Sequence, residues 1–147
     1  KTNEECLVKK EDFIVADTSE DLQGTGDFVR VSNDDTIFAG YHCIVLKAKR
    51  RSNSHFLSYL FLTDAWRNQF RSKVSGVKLF SLTQRILNQG TIILPLEDEQ
   101  EKICNFLDKK CLCFDRLIEV KQKKITLLSE YRKSVIYEYS IGKRRVS

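Results

Sequence analysis

The sequence predicts an α+β protein: a small mixed module over residues 1–95, then one long coiled-coil-forming helix with a basic tail over 96–147. Three observations predict it. Before Pro95, short runs rich in β-branched and aromatic residues alternate with turn formers, the pattern of short strands between loops. From Glu97 to about Tyr139 there is neither proline nor glycine, the residues least tolerated inside a helix. Within that stretch apolar residues recur on a heptad rhythm, which keeps one stripe of a helix against a partner.

The elements follow in order. FIVAD (13–17) reads as a strand and TSEDLQGTG (18–26) as a polar loop. FVRVS (28–32) alternates with period two, and YHCIVLKAK (41–49) is the strongest strand candidate. After the basic loop RRSNS (50–54), Phe56, Tyr59, Leu60, Thr63, Trp66 and Phe70 recur at three- and four-residue spacing, which predicts a single helix over 55–74. At that spacing Trp66 and Phe70 read as core residues. SGVKLF (75–80) turns into a short strand or loop, LTQRILNQG (82–90) supplies one helical turn ended by Gly90, and TIILP (91–95) reads as a final strand.

Pro95 cannot continue a ladder, and Glu97, Asp98 and Glu99 then occupy a first helical turn, where the dipole favours negative charge. Stepping alternately by four and three from Leu107 gives Cys111, Phe114, Ile118, Lys121, Ile125, Leu128, Arg132, Val135 and Tyr139, with eight of the ten positions apolar or aromatic. Leu107, Phe114, Ile118, Lys121, Ile125, Leu128, Arg132 and Val135 are therefore the expected pairing interface. Lys121 and Arg132 interrupt it. Polar residues at such positions set register and orientation at some cost in stability, or else snorkel at the seam edge. A helix of about 40 residues is about 60 Å long and needs another helix to cover its stripe.

Composition bounds the function. With 147 residues, 41% hydrophobic and 31% charged, the chain is one ordinary domain with an appendage, more charged than most. No apolar run approaches the roughly 18 to 20 residues that span a bilayer. KTNEEC is not followed by the apolar stretch of a signal peptide, so the expected compartment is the cytoplasm. There is no methionine, which makes the chain look excised from a longer product. Cys6, Cys43, Cys104, Cys111 and Cys113 contain no C-x-x-C pair, and His42 and His55 lie far from the C-terminal cluster, so no metal is expected.

No catalytic constellation stands out. GTG (24–26) is too short for a phosphate loop, and the acid at 97–101 reads as a helix start. No cofactor site is expected. The basic residues are more suggestive. Lys47, Lys49, Arg50 and Arg51 gather before the helix, and Arg67, Arg71, Lys73 and Lys78 lie on and after it, with Ser75 among them. Lys49, Arg50, Arg51, Arg67, Arg71, Lys73, Ser75 and Lys78 are candidates for phosphate and base-edge contacts. The plain alternative is a set of solvated loops. A net charge of +5 and a pI near 9.0 fit both.

The join beginning at Thr91, TIILPLEDEQEKICNFLD, together with LIEVKQKKITLLSEYRKSVIYEYSIGK downstream, resembles the C-terminal half of a type I restriction–modification specificity subunit. DFIVADTSED (12–21) and SGVKLFSLTQRIL (75–87) are similar to pieces of that family's target recognition domain. The resemblance implies a non-catalytic subunit that reads half of a split site in double-stranded DNA. It implies long helices packed antiparallel as spacers, and partners in the methyltransferase and restriction subunits. It also implies that residues 1–95 lack the first part of a recognition domain, and that a second specificity half, as a homodimer or another half-subunit, completes the site. Two other readings remain: an assembly module that pairs without reading DNA, and a nucleic-acid enzyme, which the missing catalytic groups disfavour.

Overall fold

The structure is a computed structural model and describes residues 7–34, 37–47, 49, 54–76 and 78–146. Its elements in chain order are β1 (Leu7–Val8), β2 (Phe13–Ala16), β3 (Thr18–Ser19), β4 (Phe28–Arg30), β5 (Ile37–Phe38), β6 (Cys43–Leu46), α1 (Ser54–Phe61), α2 (Asp64–Arg71), β7 (Phe80–Ser81), α3 (Gln84–Leu87) and α4 (Glu97–Ser140). The class is α+β with one long helix, as expected. The chain forms two compact units, Lys1–Cys104 and Asn105–Ser147.

In the first unit the sheet order is β4-β2-β6, antiparallel throughout. Strand β2 is central because alternation sends Phe13 and Val15 to one face, where both are buried. Phe13 lies opposite Arg30 and Leu46, and Val15 opposite Phe28 and Ile44. Two-residue ribbons, β1-β5 and β3-β7, flank this sheet. They escape sequence reading because two residues cannot show an alternation.

The core joins Phe13 and Val15 to Phe61, Trp66, Phe70, Leu82 and Leu87. Its centre is aromatic. Phe61 stacks on Trp66 at 4.6 Å between ring centroids, while Phe13 and Phe28 meet Phe61 edge-on at 5.1 and 5.4 Å. Trp66 meets Phe70 edge-on at 4.8 Å. Offset and edge-on contacts suit the ring quadrupole and add to the burial itself. Trp66 and Phe70 are thus core residues, as their spacing suggested.

Two expectations need correction. The single helix over 55–74 is two helices, broken at Leu62 and Thr63. Thr63 adopts an extended conformation and its Oγ1 accepts from the Trp66 N–H at 3.3 Å, capping α2. Asp64 follows in the first turn, where its charge favours the helix start. The apolar spacing runs through this break because both helices bury residues in the same core. The second correction concerns TIILP, which forms no strand. Ile93 is 88% exposed, and Thr91 bonds to a side chain in place of a ladder. The Gln69 amide donates to the Thr91 carbonyl at 2.9 Å and accepts from its N–H at 2.8 Å, standing in for a strand partner.

Gly90 precedes this segment and lies against the rings. A Cβ there would stand 2.7 Å from Phe70 Cζ and 2.8 Å from Trp66 Cη2. Both rings are buried and cannot retreat without repacking. Gly90→Ala should therefore cost about 1–3 kcal/mol, read as a lower thermal midpoint with Trp66 fluorescence as the probe. An unchanged midpoint would show that the rings have room to move.

Helix α4 starts at the joint after Pro95. The Leu96 carbonyl accepts from the N–H groups of Glu99 and Gln100, both at 2.9 Å. The Gln100 side chain turns back and its Nε2 donates to the Pro95 carbonyl at 2.7 Å. Gln100 and Cys104, one turn apart, are only 4% and 6% exposed. Glu97, Asp98 and Glu99 fill the first turn as the dipole prefers. At 44 residues the helix is about 66 Å long.

Candidate nucleic-acid interface

The basic candidates of the first unit divide into two groups. Arg50 and Arg51 lie outside the described residues. Lys49, Lys73, Ser75 and Lys78 are exposed, the last three on the segment that leaves the end of α2. That segment begins with Lys73 and Val74 donating back to the Phe70 carbonyl at 2.8 and 3.0 Å, so its first residues are fixed to the core helix.

Arg67 and Arg71 have other partners. One α2 turn apart, both reach the loop between β3 and β4. Arg67 forms an ion pair with Asp27 at 2.8 Å, and its Nε donates to the Phe61 carbonyl at 3.3 Å. Arg71 pairs with Asp64 at 2.8 Å and donates through Nη2 to the Gln23 carbonyl at 2.9 Å. Arg67 Nη1 reaches the same carbonyl at 3.4 Å. The two arginine side chains are 16% and 12% exposed, so their charge is largely committed to the chain itself. They clamp the loop whose turn is set by Asp21, which accepts from the Gly24 N–H at 2.6 Å, and by Gly26 at φ +83.

Another exposed feature was not anticipated. In the turn before β6, Tyr41 is 98% exposed and His42 adopts a left-handed φ of 63. The His42 carbonyl accepts from the Asp17 N–H at 3.1 Å, and His42 Nδ1 lies 3.3 Å from Asp17 Oδ1. A left-handed non-glycine residue held this way fixes where its neighbour points. The sequence pattern places Tyr41 and His42 in the strand over 41–49, but the strand begins only at Cys43 and the two residues form the turn before it.

A family model, described as the type I restriction modification DNA specificity domain, matches residues 1–130. The chain belongs to this family. Its role is therefore DNA sequence specificity in type I restriction–modification, which the resemblance implied. No curated relative matches the chain at a significant level.

The match covers every basic candidate of this specificity domain and the α4 stripe through Leu128, while Arg132 and Val135 lie just beyond it. In the second unit Phe114, Ile118, Ile125 and Leu128 are exposed, Val135 half-buried, and Lys121 and Arg132 exposed among them. A further stripe went unnoticed in the sequence. Phe106, Cys113, Leu117, Val120, Leu127 and Tyr131 are all exposed, and each lies one residue before a first-stripe position. One residue is about 100° around a helix, so the helix carries two adjacent apolar stripes. The signal was the same heptad period read one position earlier. Among the described residues no helix is long and apolar enough to cross a membrane, and no three His, Cys, Asp or Glu residues group as a metal site.

Proposed function

We propose that the first unit is a target recognition module reading one half of a split site in double-stranded DNA, and that α4 is the spacer helix that pairs it with a second half. The observation that carries this reading is the single family match running from the first unit into most of α4. On this reading the protein is non-catalytic and directs methyltransferase and restriction subunits to the site. Lys49, Lys73, Ser75 and Lys78 face DNA, with Arg50 and Arg51, which follow Lys49 in the sequence, as further candidates. Arg67 and Arg71 act one step back, holding the 20–27 loop. Tyr41 offers an exposed ring for stacking or wedge contacts. Helix α4 pairs with another specificity helix through its first stripe and leaves the second for a further helix, such as one from a methyltransferase subunit.

A mobility-shift panel of duplexes tests the recognition role. Specific binding should survive competitor DNA and weaken as salt rises. Lys73→Ala with Lys78→Ala should reduce the slope of log K against log salt by about 2 while leaving the preferred sequence unchanged. The assembly reading, in which the chain pairs without touching DNA, draws on the inward commitment of Arg67 and Arg71. Absence of any shift at low salt, with pairing intact, would decide for it.

A further inference from the structure

We infer that Gln23 is a specificity-determining residue of the recognition module, its carboxamide reading the edge of an adenine in the major groove. The inference rests on the DNA-recognition reading above and adds the side chain and the base. Backbone pairing, the arginine clamp and the chemistry of the loop carry it.

Pairing fixes where the loop lies. Strand β2 ends at Ala16, and both of its antiparallel neighbours begin there: Phe28 of β4 lies opposite Val15, and Cys43 of β6 lies opposite Ala16. The 20–27 loop, which leads into β4, and the exposed Tyr41 turn, which leads into β6, therefore share one end of the sheet. The β3-β7 ribbon sets Ser19 against Phe80, so Glu20 departs beside Leu79, the neighbour of Lys78. Further along, the Gln23 carbonyl accepts from Arg71, two residues before Lys73. Both ends of the Lys73–Lys78 segment thus border the stretch from Glu20 to Gln23.

The clamp gives that stretch a fixed base. Arg71 is 12% exposed, pairs with Asp64, and follows the fully buried Phe70. Asp21 is occupied by the turn itself, accepting from the Gly24 N–H, and the Ser19 hydroxyl donates to the Asp21 carbonyl at 2.6 Å. Gln23 is gripped at its own main chain while its side chain is exposed. A side chain on an anchored backbone loses less freedom on docking, which sharpens discrimination between similar edges.

Chemistry assigns the base. A carboxamide carries an N–H donor beside an oxygen acceptor, the complement of adenine N7 and its N6 amine, and no other base shows that pair in the major groove. Lysine contacts to phosphate fix register without reading sequence. Lys73 and Lys78 supply the grip and Gln23 the reading.

Selection of preferred sites from randomised duplexes, run with wild type and Gln23→Ala in parallel, tests this division. Wild type should select an A·T pair at one position that the variant leaves open, with every other position kept. Affinity of the variant for the wild-type site should fall about 5- to 150-fold. Its affinity for unrelated DNA and its Trp66 emission should not change, because the loop is held at the Gln23 carbonyl. An unchanged selected site overturns the inference. So does an equal loss on all sequences, which marks a phosphate contact, and so does a change confined to a G·C position. If wild type selects no sequence at all, the recognition reading itself falls, and this inference with it.

Discussion

Ile118→Asp combined with Leu128→Asp should convert a dimer of this chain into a monomer. Both positions lie exposed on the first stripe of α4, so a dimer formed through that stripe would bury four carboxylates in the double variant. Each buried, unpaired carboxylate costs several kcal/mol, and like charges in one seam add repulsion. The wild-type chain should scatter as about twice 17.1 kDa and the variant as 17.1 kDa. The first unit should be untouched, because neither residue belongs to it. Trp66 reports this directly: it is the only tryptophan, and it lies in the first unit stacked on Phe61. Unchanged Trp66 emission with a halved mass supports the seam. A persistent dimer means that another surface pairs the chains.

Phe70→Ala should have the opposite selectivity. Phe70 is fully buried, edge-on to Trp66, and packed close to Gly90. Deleting such a ring leaves a cavity and costs about 3–5 kcal/mol. That is a large part of the roughly 5–15 kcal/mol that holds a domain folded. The Phe70 carbonyl also anchors the start of the Lys73–Lys78 segment. DNA binding should fall with the melting of the first unit, while the helix pairing survives. If urea denaturation shows a loss below about 1 kcal/mol, the aromatic cluster is not the main support of the first unit.

The parts of the fold that were legible are those where one physical demand dominates. Strand β2 was legible as a short aromatic and β-branched run bounded by a polar loop, and its burial then alternates along the strand. Helix α4 was clear because 44 residues without proline or glycine, on a heptad rhythm, admit few alternatives. The break between α1 and α2 was written locally, in Thr63 and Asp64, but the longer apolar period hid it. TIILP misled because β-branched residues suit a strand only where an edge is available, and here the Gln69 amide takes that place. The candidate site was harder to read. Composition marks an arginine as a cation without saying whether its partner is a phosphate or, as for Arg67 and Arg71, the chain's own carbonyl and carboxylate groups. The second stripe of α4 was present in the same heptads and was overlooked because one stripe already explained a two-helix pairing.

The arginine clamp has a consequence for change over time. Arg71 holds the loop through the Gln23 carbonyl, an oxygen that every amino acid carries, while Arg67 holds its far end through the Asp27 carboxylate. The side chains of Glu20, Leu22 and Gln23 take no part in that grip. They can be exchanged for others while the loop keeps its anchor, so new side-chain combinations can be sampled on an unaltered scaffold. For a protein whose purpose is to discriminate sequences, holding a loop by its main chain is a route to evolvability.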